Sequence, residues 1–278
     1  MNDTAPPLAG VIGFPISHSK SPILHGYWLR ELGIQGYYVP LLMSQAEFVG
    51  GLRSLIKLGF KGVNVTLPHK IPALGLADTT TDRAALIGAA NTLTFKEDGS
   101  ISADNTDGYG FIQNLRQNVP DWRADDGPAL VLGSGGAARA IVSALLSEGV
   151  TELRLTNRTR GRAEMLADQF GAKVEVIDWN RASDAMDGAL TIVNTTSLGM
   201  AGQPELPVIL DSAPLTAIVS DIVYTPLETD FLKAARSRGL QTVDGLGMLL
   251  HQGVPGFENW FGMRPEVTDG LRNAVLGL

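Results

Sequence analysis

Short apolar runs of strand length alternate with stretches of helical periodicity along nearly the whole chain, which is the signature of an α/β fold. In the first hundred residues the pattern predicts strands over 9–14, 37–41, 62–67, 91–95 and 100–104, and helices over 22–32, 45–58 and 82–86. A further helix is predicted from 107 to about 118. Residues 120–128, with Pro120, Gly127 and Pro128, break both periods and read as a linker. Beyond it, strands are predicted over 129–132, 153–156, 173–177, 190–194, 217–222 and 241–244, with helical stretches between them. Their near-continuous Val, Ile and Leu content suits a parallel sheet covered on both faces, and six such strands are the doubly wound count. From 246 onward the pattern is helical, over 246–260 and 265–276. These closing helices need a surface to pack on, and returning them to the first domain leaves a cleft between two lobes. The expected division is a first domain over 1–106, completed by helices 246–278, and a second over 107–245 that includes the linking helix.

The stretch opening the second domain carries the most chemistry. The apolar strand 129–132 runs into Gly133-Ser134-Gly135-Gly136-Ala137-Ala138, a loop almost without side chains, and then into a helix from Arg139 to Ser147. Such a helix start offers bare N–H groups and a positive dipole end to an anion. The spacing fits the dinucleotide fingerprint: Gly133 for the tight turn, Gly135 for close approach of a pyrophosphate, Ala138 for helix–strand packing. At the end of the next strand, where a unit for NAD carries an acid, this chain has Asn157 and Arg158, followed by Thr159, Arg160 and Arg162. Arginines there favour a 2′-phosphate through charge-assisted bonds, so the expected cofactor is NADP. A glycine turn alone serves ordinary packing equally well, and a run of arginines is usually a solvated helix start. Here the cations stand at a predicted helix N-terminus, where the dipole disfavours them, and a ligand that repays them is the better account.

Composition narrows the setting. The 278 residues are enough for two domains, 44% are hydrophobic, and no run approaches the ~18 apolar residues of a membrane span. The polar start, residues 1–7, lacks the basic and apolar regions of a signal peptide. Zero cysteines exclude disulfides and thiolate chemistry and fit a cytoplasmic protein. A net charge of −7 argues against nucleic acid and anionic membrane as partners. The four histidines, His18, His25, His69 and His251, show no metal-ligand spacing, so no metal is expected. A homodimer is admitted by these features but not specified by them.

Ligands of such sheets lie outside the carboxyl ends of the strands. Three strand ends of the first domain stand out: Ser17 to Pro22 with Ser19, Lys20 and Ser21; Thr66 to Lys70; and Asp104-Asn105-Thr106-Asp107. Taken singly, each has a plain structural reading: Ser21 as a helix N-cap before Pro22, Lys70 as a surface charge, Asp107 as a first-turn acid. Together they line a pocket with hydroxyls, amides, one lysine and one carboxylate, suited to a small polyhydroxylated ligand. Hydride delivery to a ketone leaves an alkoxide that needs a proton. Lys70 supplies charge and proton, Asp107 orients it, and His69 is the rival acid. In the second domain the run from Asn194 to Met200 stands where it can meet a nicotinamide.

With these motifs in hand, the sequence resembles the shikimate dehydrogenase family over essentially its whole length. The resemblance is carried by Gly13 to His25, Asn64-Val-Thr66-Leu-Pro-His-Lys70, Gly88-Ala-Ala-Asn91-Thr92, Asp104 to Gly108, Gly133 to Ala137, Asn157-Arg158-Thr159, Asn194 to Met200, and Asp244-Gly245-Leu-Gly247-Met248 with Gln252. It implies an α/β substrate domain, a Rossmann-type NADP-binding domain, and reversible reduction of 3-dehydroshikimate to shikimate in aromatic amino-acid biosynthesis. By that likeness Ser19 and Ser21 hold the substrate carboxylate with Tyr224 nearby. Thr66, Lys70, Asn91, Asp107 and Gln252 hold the ring hydroxyls, with Lys70 and Asp107 as the catalytic pair. Gly133, Ser134, Gly135, Gly136 and Ala137 cradle the pyrophosphate, and Asn157, Arg158, Thr159 and Arg162 meet the adenosine end. Thr195, Met200, Ile222 and Gly245 lie against the nicotinamide. Two positions depart from the family: Gly26, where asparagine is common, and Ala90, where valine is usual. A quinate/shikimate dehydrogenase working with NAD and a non-catalytic sensor of NADP or a shikimate-like metabolite are the alternatives. The presence of both Lys70 and Asp107 weighs against the sensor.

Overall fold

The computed structural model describes residues 5–278. Met1 to Thr4, the first part of the polar start, lie outside the described residues. By contacts the chain separates into two compact units, 1–106 with 250–278, and 107–249.

The first unit begins β1 (Leu8–Gly13), α1 (Ser21–Glu31), β2 (Tyr37–Leu42), α2 (Phe48–Lys57), β3 (Phe60–Val65), α3 (Lys70–Gly75) and β4 (Thr79–Thr80). It continues through α4 (Asp82–Ile87), β5 (Thr92–Phe95) and β6 (Ile101–Asp104). The sheet order is β2-β1-β3-β5-β6-β4. The pairs β1–β2, β1–β3 and β4–β6 are parallel, whereas β5 runs antiparallel to both β3 and β6. Periodicity does not predict that mixture; the short β5–β6 connection does, because only antiparallel neighbours are joined by a tight turn. That turn closes on Lys96 N–H to Ser100 O at 2.9 Å, with Gly99 at φ +82°. One face of the sheet is packed by Ile12, Phe48, Leu52, Val63, Leu93 and Ala103.

Two elements here are absent from the pattern reading. β4 has two residues and α3 has six, both too short to show a period. Boundaries also move for local reasons. The predicted helix 45–58 starts only at Phe48, because Glu47 folds back on Ser44, accepting from its N–H at 3.0 Å. The last helix starts at Asp269 rather than 265, capped by Thr268, which accepts from Leu271 N at 3.2 Å.

The second unit contains α5 (Asp107–Asn118), β7 (Ala129–Leu132), α6 (Gly136–Glu148), β8 (Leu153–Thr156), α7 (Arg160–Phe170), β9 (Val174–Ile177), β10 (Thr191–Asn194), β11 (Ile218–Asp221), α8 (Asp230–Ser237) and β12 (Gln241–Val243). Its sheet is parallel throughout, in the order β12-β11-β10-β7-β8-β9. That is the doubly wound order with the switch point between β7 and β10. Leu130 and Leu132 enter a core with Ile192, Val219 and Leu232. Ala129 and Val131 enter another with Leu155, Val193 and Ile141. Alternate residues of β7 thus serve opposite cores, which is why this strand is apolar without interruption.

The closing helices are α9 (Leu246–Phe261) and α10 (Asp269–Leu276). The expected domain boundary at 246 shifts: residues 246–249 belong with the second unit, where Gly247 packs on the Asn114 side chain and Asn114 Nδ2 donates to Asp244 O at 2.7 Å. The remainder is built into the first unit. Trp260 Nε1 donates to Leu93 O at 3.1 Å, over the bare backbone of Gly62, and Trp28 Nε1 donates to Glu266 O at 2.8 Å. No helix among the described residues is long and apolar enough to cross a membrane.

Candidate active site

In the first unit the carboxyl ends of β1, β3 and β6 carry the polar residues singled out above. Ser21 is not the N-cap expected of it. It is the first residue of α1, almost buried at 7% exposure, while the cap position falls on Lys20, whose side chain makes no capping bond. The Ser21 N–H donates to Ser19 Oγ at 3.3 Å, so the two hydroxyls share one turn. Thr66 follows β3 and packs where Gly13 lacks a side chain; a Cβ on Gly13 would stand 2.6 Å from Thr66 Cγ2. Lys70 opens α3, half-buried, and its carbonyl accepts from Ala90 N at 2.8 Å, one residue before Asn91.

Asn91 and Gln252 are brought together, with Asn91 Nδ2 donating to Gln252 Oε1 at 3.3 Å. Asn91 Oδ1 accepts from Thr106 N–H and from the Thr92 hydroxyl, both at 2.9 Å, and the Thr106 hydroxyl donates to Gln252 O at 2.8 Å. Behind them, Asn64 Nδ2 donates to Thr92 Oγ1 at 3.2 Å, and the Tyr38 hydroxyl donates to Asn64 Oδ1 at 2.7 Å. Burial pushes the Tyr38 pKa well above its usual value, with the Ser21 hydroxyl pulling the other way, so it stays a donor. A buried network with every link made holds its members rigidly. Sequence reasoning gave no role to Tyr38, Asn64, Thr92 or Thr106. The signal for Asn64 was there: it lies two residues before Thr66 along an extended segment, hence on the same face.

The turn leading to Asp107 is braced on both sides. Asp104 Oδ1 accepts from Thr81 Oγ1 at 2.7 Å and Arg83 Nε at 2.6 Å, and Asn105 Nδ2 donates to Ala89 O at 2.9 Å. Burial works to raise the Asp104 pKa, but the Arg83 and Thr81 bonds outweigh it and hold the carboxyl below its ordinary value. Asp107 is then the first residue of α5, at 9% exposure. His69, the rival acid, is committed elsewhere. Its ring is fully buried, stacked on Phe48 at 4.5 Å, with Nε2 2.7 Å from Met43 O.

In the second unit Gly133 has φ +109°, and a Cβ there would meet Thr195 Oγ1 at 2.7 Å. Thr195, itself nearly buried, donates to Leu132 O at 2.7 Å, so the first glycine is required by the loop after β10. Gly135 and Gly136 have the opposite character, since a Cβ on either meets nothing within 4 Å. Their bareness serves no internal packing. It leaves the start of α6 open, with no side-chain cap, and the buried Ser134 Oγ beside it has no hydrogen-bond partner. Ala137 begins the helix face, and Ala138 is buried in the core. This loop fits a pyrophosphate on chemistry and shape alike.

At the end of β8, Asn157 Nδ2 donates to Thr159 O at 2.9 Å. α7 begins at Arg160, and Thr159 is its cap position. Arg160 is engaged by Glu164 at 2.7 Å and Asp178 at 2.6 Å. Arg158 and Arg162 are exposed and make no ion pair with a described residue. The ligand argument therefore rests on those two arginines and not on all three. Ile222 and Tyr224 follow β11, and Gly245 follows β12. A Cβ on Gly245 would stand 2.3 Å from Ile222 O, so these two touch. Tyr224 is partly exposed, and burial raises its pKa. Met200 is exposed at the far end of the loop after β10. Among the described residues no cluster of His, Asp or Glu could hold a metal ion.

A dinucleotide cradle in one unit and a locked set of amides and hydroxyls in the other define a pyridine-nucleotide-dependent oxidoreductase of two α/β domains. Comparison with known proteins gives the family. Residues 11–93 match the shikimate dehydrogenase substrate binding domain, 115–199 match shikimate / quinate 5-dehydrogenase, and 245–276 match the shikimate 5′-dehydrogenase C-terminal domain. The chain is 59% identical to the shikimate dehydrogenase (NADP(+)) of Paracoccus denitrificans, covering 99% of this chain and 100% of that one. Among solved structures, the shikimate 5-dehydrogenase of Thermus thermophilus in complex with NADP(H) and shikimate aligns with TM-score 0.86 at 35% identity, over 98% of this chain and 99% of that one. The quinate dehydrogenase of Corynebacterium glutamicum in complex with NAD aligns with TM-score 0.90 at 31% identity, over the same shares. The chain belongs to the shikimate dehydrogenase family.

Proposed function

We propose that this protein catalyses the reversible, NADPH-dependent reduction of 3-dehydroshikimate to shikimate, acting in the cytoplasm on this small molecule alone. The reading is carried by the locked Asn91–Thr106–Gln252 set, found in a chain 59% identical along its length to a relative named for that activity. Ser19 and Ser21 hold the substrate carboxylate together with Tyr224. Thr66, Asn91 and Gln252 hold the ring hydroxyls, Asn91 and Gln252 being bonded to one another. Gly133 to Ala137 hold the pyrophosphate with N–H groups, and Asn157, Arg158, Thr159 and Arg162 the adenosine end. Arg158 and Arg162 supply the charge for a 2′-phosphate. Thr195, Met200, Ile222 and Gly245 contact the nicotinamide.

When bound, NADPH supplies the hydride that adds to the carbonyl carbon. The carbonyl oxygen then gains a negative charge and needs one proton. Lys70 stabilises that charge and delivers the proton from Nζ, and Asp107 orients the ammonium. In the reverse direction Lys70 takes the hydroxyl proton. His69 has no part in this, its ring being held in the core.

A substrate-by-cofactor matrix tests the reading: shikimate and quinate, each with NADP and NAD, followed by absorbance of the reduced nicotinamide. Shikimate with NADP should give the highest kcat/KM. A preference for quinate or for NAD would replace this assignment with that of the Corynebacterium neighbour.

A further inference from the structure

Asp221 ends β11 with no exposed surface, and its carboxylate makes no ion pair with a described residue. A carboxylate buried without a cation is tolerated only where donors meet it. Three do. Asn194 Nδ2 and Val223 N–H each donate to Oδ1 at 3.0 Å, and the Thr229 hydroxyl donates to Oδ2 at 2.8 Å. The donors come from three segments: the end of β10, the loop after β11, and the cap of α8.

The Val223 N–H can only donate, and the Asn194 amide cannot turn over without losing the bonds on its oxygen. Asn194 Oδ1 is already taken by the N–H and hydroxyl of Thr196, at 3.0 and 2.7 Å. Thr229 Oγ1 already accepts from Leu232 N at 3.3 Å. The position suits a side chain that accepts through both oxygens, as a carboxylate does; an asparagine would have to reverse the Thr229 bond.

The same two loops are strapped together a second time, by Ala201 N–H donating to Thr225 O at 2.9 Å. Gly199, whose φ of +84° favours glycine, lies beside Thr229. From this hub the contacts run outward to the cofactor loops: Thr195 against Gly133, and the Ile222 carbonyl against Gly245. In a doubly wound sheet the second group of three strands, here β10 to β12, takes the second mononucleotide half.

We infer that Asp221 is a positioning residue for the nicotinamide half of the cofactor, fixing the loops 194–201 and 222–229 together from below without touching the ligand. The inference rests on the NADP reading above. It separates the two halves of the dinucleotide site, since no bond of Asp221 reaches the adenosine end.

The test uses the full chain as wild type, Asp221→Asn and Thr229→Val, with turnover of shikimate and NADP, and dissociation constants for NADP and for 2′,5′-ADP, which carries the adenosine end alone. Asp221→Asn should lower kcat at least tenfold and weaken NADP, while 2′,5′-ADP binds within twofold of wild type. Thr229→Val, which removes one donor and keeps the carboxylate, should show the same pattern more weakly, and it decides the matter if Asp221→Asn fails to fold. Unchanged turnover in Asp221→Asn, or parallel loss of 2′,5′-ADP binding and turnover, would overturn the inference. A wild type that binds both nucleotides but does not oxidise shikimate defeats the functional reading instead, and the NADP to 2′,5′-ADP affinity ratio then still tests Asp221.

Discussion

In the proposed mechanism the chemistry turns on Lys70, and its substitution separates chemistry from binding. Lys70→Ala removes the proton donor and the charge opposite the forming alkoxide, so kcat should fall roughly 10²–10⁴-fold while NADP affinity is unchanged. Near-normal turnover in that variant would take Lys70 out of the mechanism. Arg158 is exposed and makes no ion pair with a described residue, so Arg158→Asp should cost no stability. It should erode the kcat/KM preference for NADP over NAD by about 10- to 100-fold, the scale of one or two hydrogen bonds to a charged group. His25 makes a different prediction. Its ring is stacked against Tyr38 at 3.9 Å, and burial lowers its pKa from 6.5 to about 3, with Asn64 pulling weakly the other way. Burial likewise lowers His251 from 6.5 to about 4. Below pH 6.5 the unfolded chain binds protons that the folded one refuses. Stability is thus complete above that pH and is lost on acidification by about 1.4 kcal/mol per pH unit for each such group. Urea unfolding at pH 7, 6 and 5 should show the slope, and His25→Phe should remove its share. An identical slope in that variant would assign the effect elsewhere.

Elements differ in how plainly the chain announces them. The central strands of the second unit are legible because they are buried on both faces and so mostly apolar, β7 at every position. The helices with a polar side show their period. What stays hidden is short or is decided by partners far along the chain: α3 and β4, the antiparallel placement of β5, and the division of α9 at residue 250. The site follows the same rule. The loop residues Ser19, Lys70, Asp107 and Arg158 are visible as polar groups at strand ends. Tyr38, Asn64 and Thr92 act from within strands or beside them, and only packing reveals the network they make. Gly26 belongs to this scale too. It lies within α1, where a Cβ would meet only Arg30 Nη1, at 3.5 Å, an ordinary contact. Gly26→Ala should therefore stabilise the protein by up to about 1 kcal/mol, through helix propensity and a less disordered unfolded chain. A destabilised variant in urea titration would mean that the contact with Arg30 does not yield.

At the level of the molecule, the first unit is discontinuous: its last 29 residues, 250–278, are separated from the rest by the entire second unit. Those residues are not an ornament. They supply Trp260 against Leu93, Gln252 against Asn91 and the Glu266 carbonyl against Trp28. The seam is tight, since the Thr106 hydroxyl reaches Gln252 O at 2.8 Å. On the ribosome this inverts the order of the chain. The segment made first waits for the segment made last, and the middle is complete before either. Stalled nascent chains ending near residue 249, allowed clear of the exit tunnel, should resist protease over 107–249 and be cut within 1–106. Protection of the N-terminal segment at that length would show that its sheet is finished without the closing helices. Between those two moments a six-stranded sheet without its closing helices is what a chaperone would meet, so the exposure of this fold during synthesis depends on the segment 250–278.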